Sequence, residues 1–383
     1  MLIMQALSDS GAELENLSDS DDTHFLRDAL KQVSALKDIG HAGTAMRFLT
    51  AYLSTQDESV VLTGSDRMKQ RPVGPLVDAL RALGAGINYM ESKGCAPLQI
   101  KGGLKKGGSI TVDGGISSQF ISALMMVGPV LEGGLKISLS GDVVSATYIR
   151  MTQSLMQKGG IEASFKGREI SIKEGKYSFN NFVIESDWSA ASYWYQLAAL
   201  LPGSEIALPM LEQDSLQGDA ILVNMFTSLG VESCFEGKSL LLRSGREVQK
   251  SLFEYDFTSC PDLTQTMAVT LCAMGIPYRF TGTRTLRIKE TDRVAALQTE
   301  LGKFGFSLEV DEGGDWISWD GKRCQPEQNV IIETYHDHRM AMAFAPLAIP
   351  FGALTVNDAM VVTKSYPAYW QDLEKAGFSL SDL

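Results

Sequence analysis

Nine consecutive residues, Thr285-Leu286-Arg287-Ile288-Lys289-Glu290-Thr291-Asp292-Arg293, set three cations beside two carboxylates. Cations at this density can hold an anionic substrate, and a carboxylate among them can move a proton. The same run also reads as a solvated, charged helix start with acids near the positive end of the dipole. Its surroundings are a strand-like run, Ile276-Pro277-Tyr278-Arg279-Phe280-Thr281-Gly282, and a run from Val294 to Phe304. In the second run Val294, Leu297, Leu301 and Phe304 fall at helical spacing. A turn handing a strand over to a helix is where α/β folds display their chemistry.

That arrangement recurs along the chain. An extended apolar run, a polar turn, a helix, a glycine and another strand are found around Val60–Gly64 with Gly84, Leu139–Gly141 with Gly160, Ile206–Leu208 with Gly230, Phe280–Gly282 with Gly305, and Leu354–Val356 with Gly377. An earlier, shorter copy begins at Leu14-Glu15-Asn16-Leu17. The glycines recur roughly every 70–77 residues, a period suited to a βαβ-type unit with an extra helix and strands, and glycine suits a left-handed helix end. Between these units lie second helices poor in charge: Gly43–Leu53, Ser117–Val127, Ser189–Leu200, Leu263–Met274 and His338–Ile349. Helices apolar on nearly all faces are buried. Each opens on small or polar residues, and converging helix N-termini make an anion site. Six units predict an α/β protein of two similar domains, 1–185 and 186–383, each of three βαβαββ-type repeats around buried parallel helices. The crossing falls near Glu185-Ser186-Asp187 and the site in the cleft between the domains.

Bulk properties narrow the function. The chain has 383 residues, ample for two cores, and a net charge of −12, against general nucleic-acid binding. An acidic protein can still contain a local cationic cleft. The five cysteines (Cys95, Cys234, Cys260, Cys272, Cys324) are scattered without CxxC spacing, which predicts free thiols rather than disulfides or structural zinc. No apolar run approaches the length of a membrane span, and Met1–Leu7 lacks the basic flank of a signal peptide. A cytoplasmic protein is expected, with no membrane partner.

The motif clusters, in order, are Leu17-Ser18-Asp19-Ser20-Asp21-Asp22, Ala42-Gly43-Thr44-Ala45-Met46-Arg47, Gln70-Arg71-Pro72-Val73-Gly74, Ser117-Ser118-Gln119-Phe120, Ser189-Ala190-Ala191-Ser192-Tyr193, Pro261-Asp262, Lys289-Glu290-Thr291-Asp292-Arg293, Asp337-His338-Arg339-Met340-Ala341-Met342 and Thr363-Lys364-Ser365-Tyr366-Pro367. Together they resemble the 5-enolpyruvylshikimate-3-phosphate synthase (3-phosphoshikimate 1-carboxyvinyltransferase) family over essentially the whole chain. The resemblance implies transfer of the enolpyruvyl group of phosphoenolpyruvate to the 5-hydroxyl of shikimate 3-phosphate, with release of phosphate. It implies an enzyme of chorismate and aromatic amino-acid biosynthesis, acting as a monomer on these two small molecules without metal or organic cofactor.

By the same resemblance Asp262 is the base at the hydroxyl, Glu290 the acid at the methylene carbon, and Lys289 a catalytic contact on the shikimate phosphate side. Asp262 after Pro261 also suits an N-cap of the following helix, and one carboxylate could do both. Arg71, Arg293 and Arg339 form the implied phosphoenolpyruvate clamp, a task that suits the planar guanidinium fork. Lys364 joins them from the last repeat, and Gly43 permits close backbone approach at a helix start. Ser117, Ser118, Gln119 and Ser145 are the implied shikimate 3-phosphate ligands, with Tyr148, Thr285 and His338 at matched positions near the substrates. His336 and His338 form His-x-His, but no third His or Cys accompanies them, so no metal is expected.

Three departures stand out. The family opens with a strand and a Ser-Lys-Ser-x-Ser-Asn-Arg motif, whereas here Leu2–Leu7 corresponds to the apolar helix that follows them. The expectation is either a start that lies further upstream or a catalytically impaired homologue that binds shikimate 3-phosphate. Thr285 stands where some members carry Asn, and His41 where the family often has Asn. UDP-N-acetylglucosamine enolpyruvyl transferase shares the fold, but the stretch Arg67–Gly74 lacks the reactive Cys expected of it.

Overall fold

In a computed structural model, the structure describes residues 1–8, 10–115, 117–245, 248–249 and 251–381. The chain divides into two compact units, Met1–Ile184 and Glu185–Leu383.

The first unit contains two four-stranded sheets of one plan. Leu36–Asp38 and Ser59–Thr63 run parallel, joined through the helix Gly43–Thr55; Leu98–Lys101 pairs antiparallel with Ser59–Thr63, and Gly86–Tyr89 pairs with its outer edge. The second sheet repeats this with Lys106–Asp113, Glu132–Ser140, Glu169–Ile172 and Ala163–Lys166. A parallel pair needs a crossover, which is why a helix separates the first two strands each time. Register places Val60 opposite Ile100 and Ile137 opposite both Ile110 and Ile170, so each sheet turns an apolar face to the core. A short parallel pair, Leu14–Glu15 with Phe182–Val183, ties the ends of the unit together.

The helices Gly43–Thr55 and Ser118–Val127 pack on each other in the middle of this unit. From Phe120 to Val127 every residue is buried. Thr50 and Ser54 are buried too, and return their hydroxyls to the helix carbonyls of Met46 and Thr50, both at 2.7 Å. No polar atom is stranded by that choice.

The second unit repeats the plan once in full, with Phe253–Asp256, Tyr278–Thr281, Trp316–Trp319 and Glu309–Val310. A second sheet, Glu205–Pro209, Ser239–Ser244 and Val231–Glu236, is antiparallel throughout, and a third is the parallel pair Ile331–Ile332 with Thr355–Val356. The helix Thr264–Met274 packs against both Trp188–Leu200 and His338–Phe344. Gln196 Nε2 crosses between the outer two to reach Ala343 O at 3.0 Å.

Among the described residues the full βαβαββ plan is therefore present three times, and the other repeats keep parts of it. The helix expected over His338–Ile349 is broken: α-helix ends at Phe344, a 3₁₀ turn covers Ala345–Leu347, and a short helix follows over Ala348–Phe351. Pro346 supplies no N–H for the α-helical ladder. Similarly the helix expected between Ile206–Leu208 and Gly230 starts as a 3₁₀ turn, Gly218–Ile221, before Leu222–Thr227. Among the described residues, no helix is long and apolar enough to cross a membrane.

Candidate active site

In the second unit the strand Tyr278–Thr281 ends at Gly282, whose φ is +71° and where an added Cβ would lie 2.3 Å from Thr258 Oγ1. Only glycine fits so close an approach. A 3₁₀ turn, Arg284–Ile288, carries the chain to Lys289, and Asp292 caps the helix Arg293–Lys303 by accepting from Ala295 N at 3.1 Å. Arg293 is thus the first residue of its helix, and it is 1% exposed.

Three carboxylates surround its guanidinium. Nε donates to Asp337 Oδ2 at 2.7 Å, Nη1 to Asp262 Oδ1 at 2.9 Å and Nη2 to Glu290 Oε2 at 2.9 Å. Asp262 Oδ2 also lies 3.2 Å from Arg339 Nη2, and its Oδ1 lies 3.6 Å from Lys289 Nζ. Lys364 Nζ meets the other oxygen of Glu290. Four cations and three carboxylates therefore form one connected network. Arg293 Nη2 gives a second, longer bond to Asp337 Oδ1 at 3.4 Å. Its fork is directed at protein carboxylates, so a ligand gripped by it must displace one of them.

Electrostatics follow from this packing. Burial opposes ionisation of Asp262, but Arg339, Lys289 and Arg293 outweigh it and hold the carboxyl well below its usual range. Burial, reinforced by Lys364 and Arg339, pushes His338 well below the usual histidine range, so it is neutral at physiological pH. His338 is 6% exposed, whereas His336 is exposed and pairs with Asp358 at 2.8 Å; the two histidines share no site. Burial, with Asp262 nearby, pushes Asp219 up to about 7 although Ser189 donates its hydroxyl to it.

The first unit gathers a second set. Gly43 opens its helix directly against Arg71: a Cβ there would stand 2.6 Å from Arg71 Nη1. Buried Arg47 fixes that corner, donating to Gly43 O and Pro72 O at 2.9 Å each. Gln119 Nε2 donates to Thr44 Oγ1 at 3.1 Å, while Ser117 caps the helix Ser118–Val127 by accepting from Gln119 N. Ser118 is buried. Ser145 stands at the start of the helix Ala146–Lys158 with φ +54°, and its carbonyl accepts from Tyr148 N at 3.1 Å. His41 lies 3.5 Å from Asp21 and edge-on to Phe25. Thr285 sits half-buried in the 3₁₀ turn before Lys289.

Asp262 occupies the middle of a 3₁₀ turn, Pro261–Leu263, rather than a cap position of the helix Thr264–Met274. Four contributors went without a role in the reading of the sequence: Asp337, Arg47, Tyr193, whose hydroxyl lies 3.4 Å from Arg339 Nη1, and Asp219. A signal for the first of them was available. Asp187, Asp262 and Asp337 are spaced by 75 residues (262 − 187 and 337 − 262), each at the start of a central helix, and Lys289 and Lys364 are also 75 apart (364 − 289). Equivalent turns of successive repeats thus supply the repeated carboxylates and lysines.

Comparison with known proteins extends over this whole framework. Residues 1–373 match the family model EPSP synthase (3-phosphoshikimate 1-carboxyvinyltransferase). A 3-phosphoshikimate 1-carboxyvinyltransferase of Bacteroides fragilis is 47% identical over 380 residues, covering 99% of this chain and 92% of the relative. One from Methanospirillum hungatei is 36% identical over 402 residues, covering 98% and 92%. Among solved structures, an EPSP synthase of Acinetobacter baumannii superposes with a TM-score of 0.76 at 21% identity, covering 98% of this chain and 93% of that one, a likeness of fold. The chain belongs to the EPSP synthase (3-phosphoshikimate 1-carboxyvinyltransferase) family.

Proposed function

We propose that Asp262, Glu290 and the cations linked to them carry out the family's reaction in this chain. That reaction moves the 1-carboxyvinyl group of phosphoenolpyruvate to the 5-hydroxyl of shikimate 3-phosphate and releases phosphate. The observation that carries the assignment is the Arg293 hub, which places one carboxylate on each side of a single guanidinium: Asp262 at Nη1 and Glu290 at Nη2.

The substrates bring two phosphates and two carboxylates. Arg71, Arg339 and Lys364 bind phosphoenolpyruvate, Lys289 binds on the shikimate phosphate side, and Ser117, Ser118, Gln119, Ser145 and Tyr148 hold shikimate 3-phosphate. Thr285 and His338 line the substrates, and Gly43 leaves room beside Arg71. Asp262 at rest is a poor base, because three cations hold it ionised. Substrate anions draw those cations toward themselves, and the carboxylate gains basicity as its partners are shared.

Asp262 then takes the proton of the attacking hydroxyl as its oxygen bonds to the central carbon of phosphoenolpyruvate. Glu290 gives a proton to the methylene carbon, which becomes a methyl group, and is left as a carboxylate held between Arg293 and Lys364. In the second half the methyl group returns a proton to Glu290, the carbon–oxygen bond to phosphate breaks, and phosphate departs with the proton held at Asp262. One chain supplies every proposed residue, so a monomer suffices.

Phosphate release from phosphoenolpyruvate tests this, with shikimate 3-phosphate or UDP-N-acetylglucosamine as acceptor. Release with shikimate 3-phosphate alone is expected. Release with the sugar nucleotide would overturn the choice of acceptor. No release, with shikimate 3-phosphate still raising the unfolding temperature, would make the chain a binding protein and overturn the catalytic reading.

A further inference from the structure

The segment Glu333–Arg339 connects the strand Ile331–Ile332 to the helix His338–Phe344 and carries Asp337 and Arg339. Two successive residues in it, Tyr335 and His336, have φ of +54° and +55°. Residues with a side chain seldom adopt this conformation, and a pair in succession persists only where the surroundings enforce it.

A buried carboxylate with no part in the proposed chemistry provides that enforcement. Glu300 is 0% exposed and lies on the helix Arg293–Lys303. Its Oε1 accepts from the Tyr335 hydroxyl at 2.7 Å, and its Oε2 accepts from Glu333 N at 3.1 Å and Lys303 Nζ at 2.6 Å. Lys303 Nζ also reaches Ile331 O at 2.7 Å, so the charge of Glu300 is paired and its partner is anchored to the strand. Asp337 N closes the turn on the carbonyl of buried Thr334 at 2.8 Å.

Glu300 and Arg293 are seven residues apart (300 − 293), two helical turns, and so share one helix face. That face grips the same loop twice, Glu300 at Glu333 and Tyr335, and Arg293 at Asp337. Asp337 Oδ1 in turn accepts from Arg339 N at 2.9 Å, which starts the helix and aims Arg339. We infer that the Tyr335–Glu300 pair is a positioning device for Arg339 and hence for phosphoenolpyruvate binding. This rests on the reading of Arg339 as a phosphoenolpyruvate ligand. Tyr335 acts through the loop and touches no substrate.

Tyr335→Phe deletes one hydroxyl from a residue that is 37% exposed, so the fold should tolerate it. The expected result is a KM for phosphoenolpyruvate raised about fivefold or more, on the scale of one lost hydrogen bond. The KM for shikimate 3-phosphate should change less than about twofold, with the unfolding midpoint close to wild type. A phosphoenolpyruvate KM within twofold of wild type would overturn the inference. So would a large fall in stability with both KM values shifted alike, which marks a purely structural role. Arg339→Lys is measured alongside. If it leaves the phosphoenolpyruvate KM unchanged, the Arg339 assignment fails. If it raises that KM while Tyr335→Phe does not, the positioning inference alone fails.

Discussion

Arg293 Nη1 lies 2.9 Å from Asp262 Oδ1, and this contact joins a nearly inaccessible cation to the carboxylate proposed to accept the substrate's proton. Because the other arms of Arg293 hold Asp337 and Glu290, removing the guanidinium leaves three carboxylates without their shared partner. Breaking a buried ion pair from one side typically costs about 3–5 kcal/mol. Arg293→Met should lose stability on that scale in chemical denaturation. Arg293→Lys keeps the charge but not the fork, and should lose less.

Gly43→Ala tests the first-unit set. The new Cβ would sit 2.6 Å from Arg71 Nη1, and the mobile end of that side chain is what must give way. Folding should be preserved. The KM for phosphoenolpyruvate should rise roughly tenfold, equivalent to ~1.4 kcal/mol, while shikimate 3-phosphate binding stays near wild type. Steady-state kinetics with each substrate varied separately reads this directly.

The turn that carries Lys289 and Glu290 is braced by a hairpin. Thr283 Oγ1 donates to Gly314 O at 2.6 Å, and Arg287 reaches both Asp292 at 3.0 Å and Asp311 O at 3.4 Å. Gly314 has φ +73°, and a Cβ there would lie 2.1 Å from Arg287 Nε. Gly314→Ala should therefore displace the turn and lower kcat about tenfold, the effect of a misplacement costing ~1.4 kcal/mol. Single-turnover measurement of phosphate release checks it.

Asp219 gives a pH prediction. Its carboxyl is pushed from the usual 3.8 to about 7 in the folded protein, first by burial and then by Asp262. Between those values the native state holds a proton that the unfolded chain has lost. The stability this group contributes is complete below pH 3.8, falls as pH rises and is gone above about 7. Asp219→Asn cannot titrate. Wild-type stability relative to that variant should fall from pH 4 to pH 7, by at most about 1.4 kcal/mol per pH unit. Parallel curves would remove the shift.

Much of this was legible in the sequence because repetition is visible one residue at a time. The glycine period and the apolar central helices mark the units, and the helix Tyr369–Lys375 falls between Leu354–Val356 and Gly377, where the repeat requires one. Lys289, Glu290 and Arg293 declare themselves as charges at a strand–helix turn. What the pattern does not disclose is which charges meet. Asp337 reads only as one of the polar residues that open a buried helix, and packing reveals that one oxygen caps that helix while the other serves Arg293. Arg47 reads as one cation in an apolar helix, yet it holds the carbonyls of Gly43 and of Pro72, the second 25 residues further along the chain. Asp219 and Tyr193 are nearly or fully buried and come from other turns and helices, at separations no local motif encodes.

The most direct test of the central claim is phosphate release by Asp262→Asn and Glu290→Gln, with shikimate 3-phosphate binding followed by calorimetry on the same proteins. Each variant should lose about 10²–10⁴ in turnover, the usual worth of a positioned acid or base, while still binding shikimate 3-phosphate. Turnover within tenfold of wild type in either variant would contradict the role given to that carboxylate.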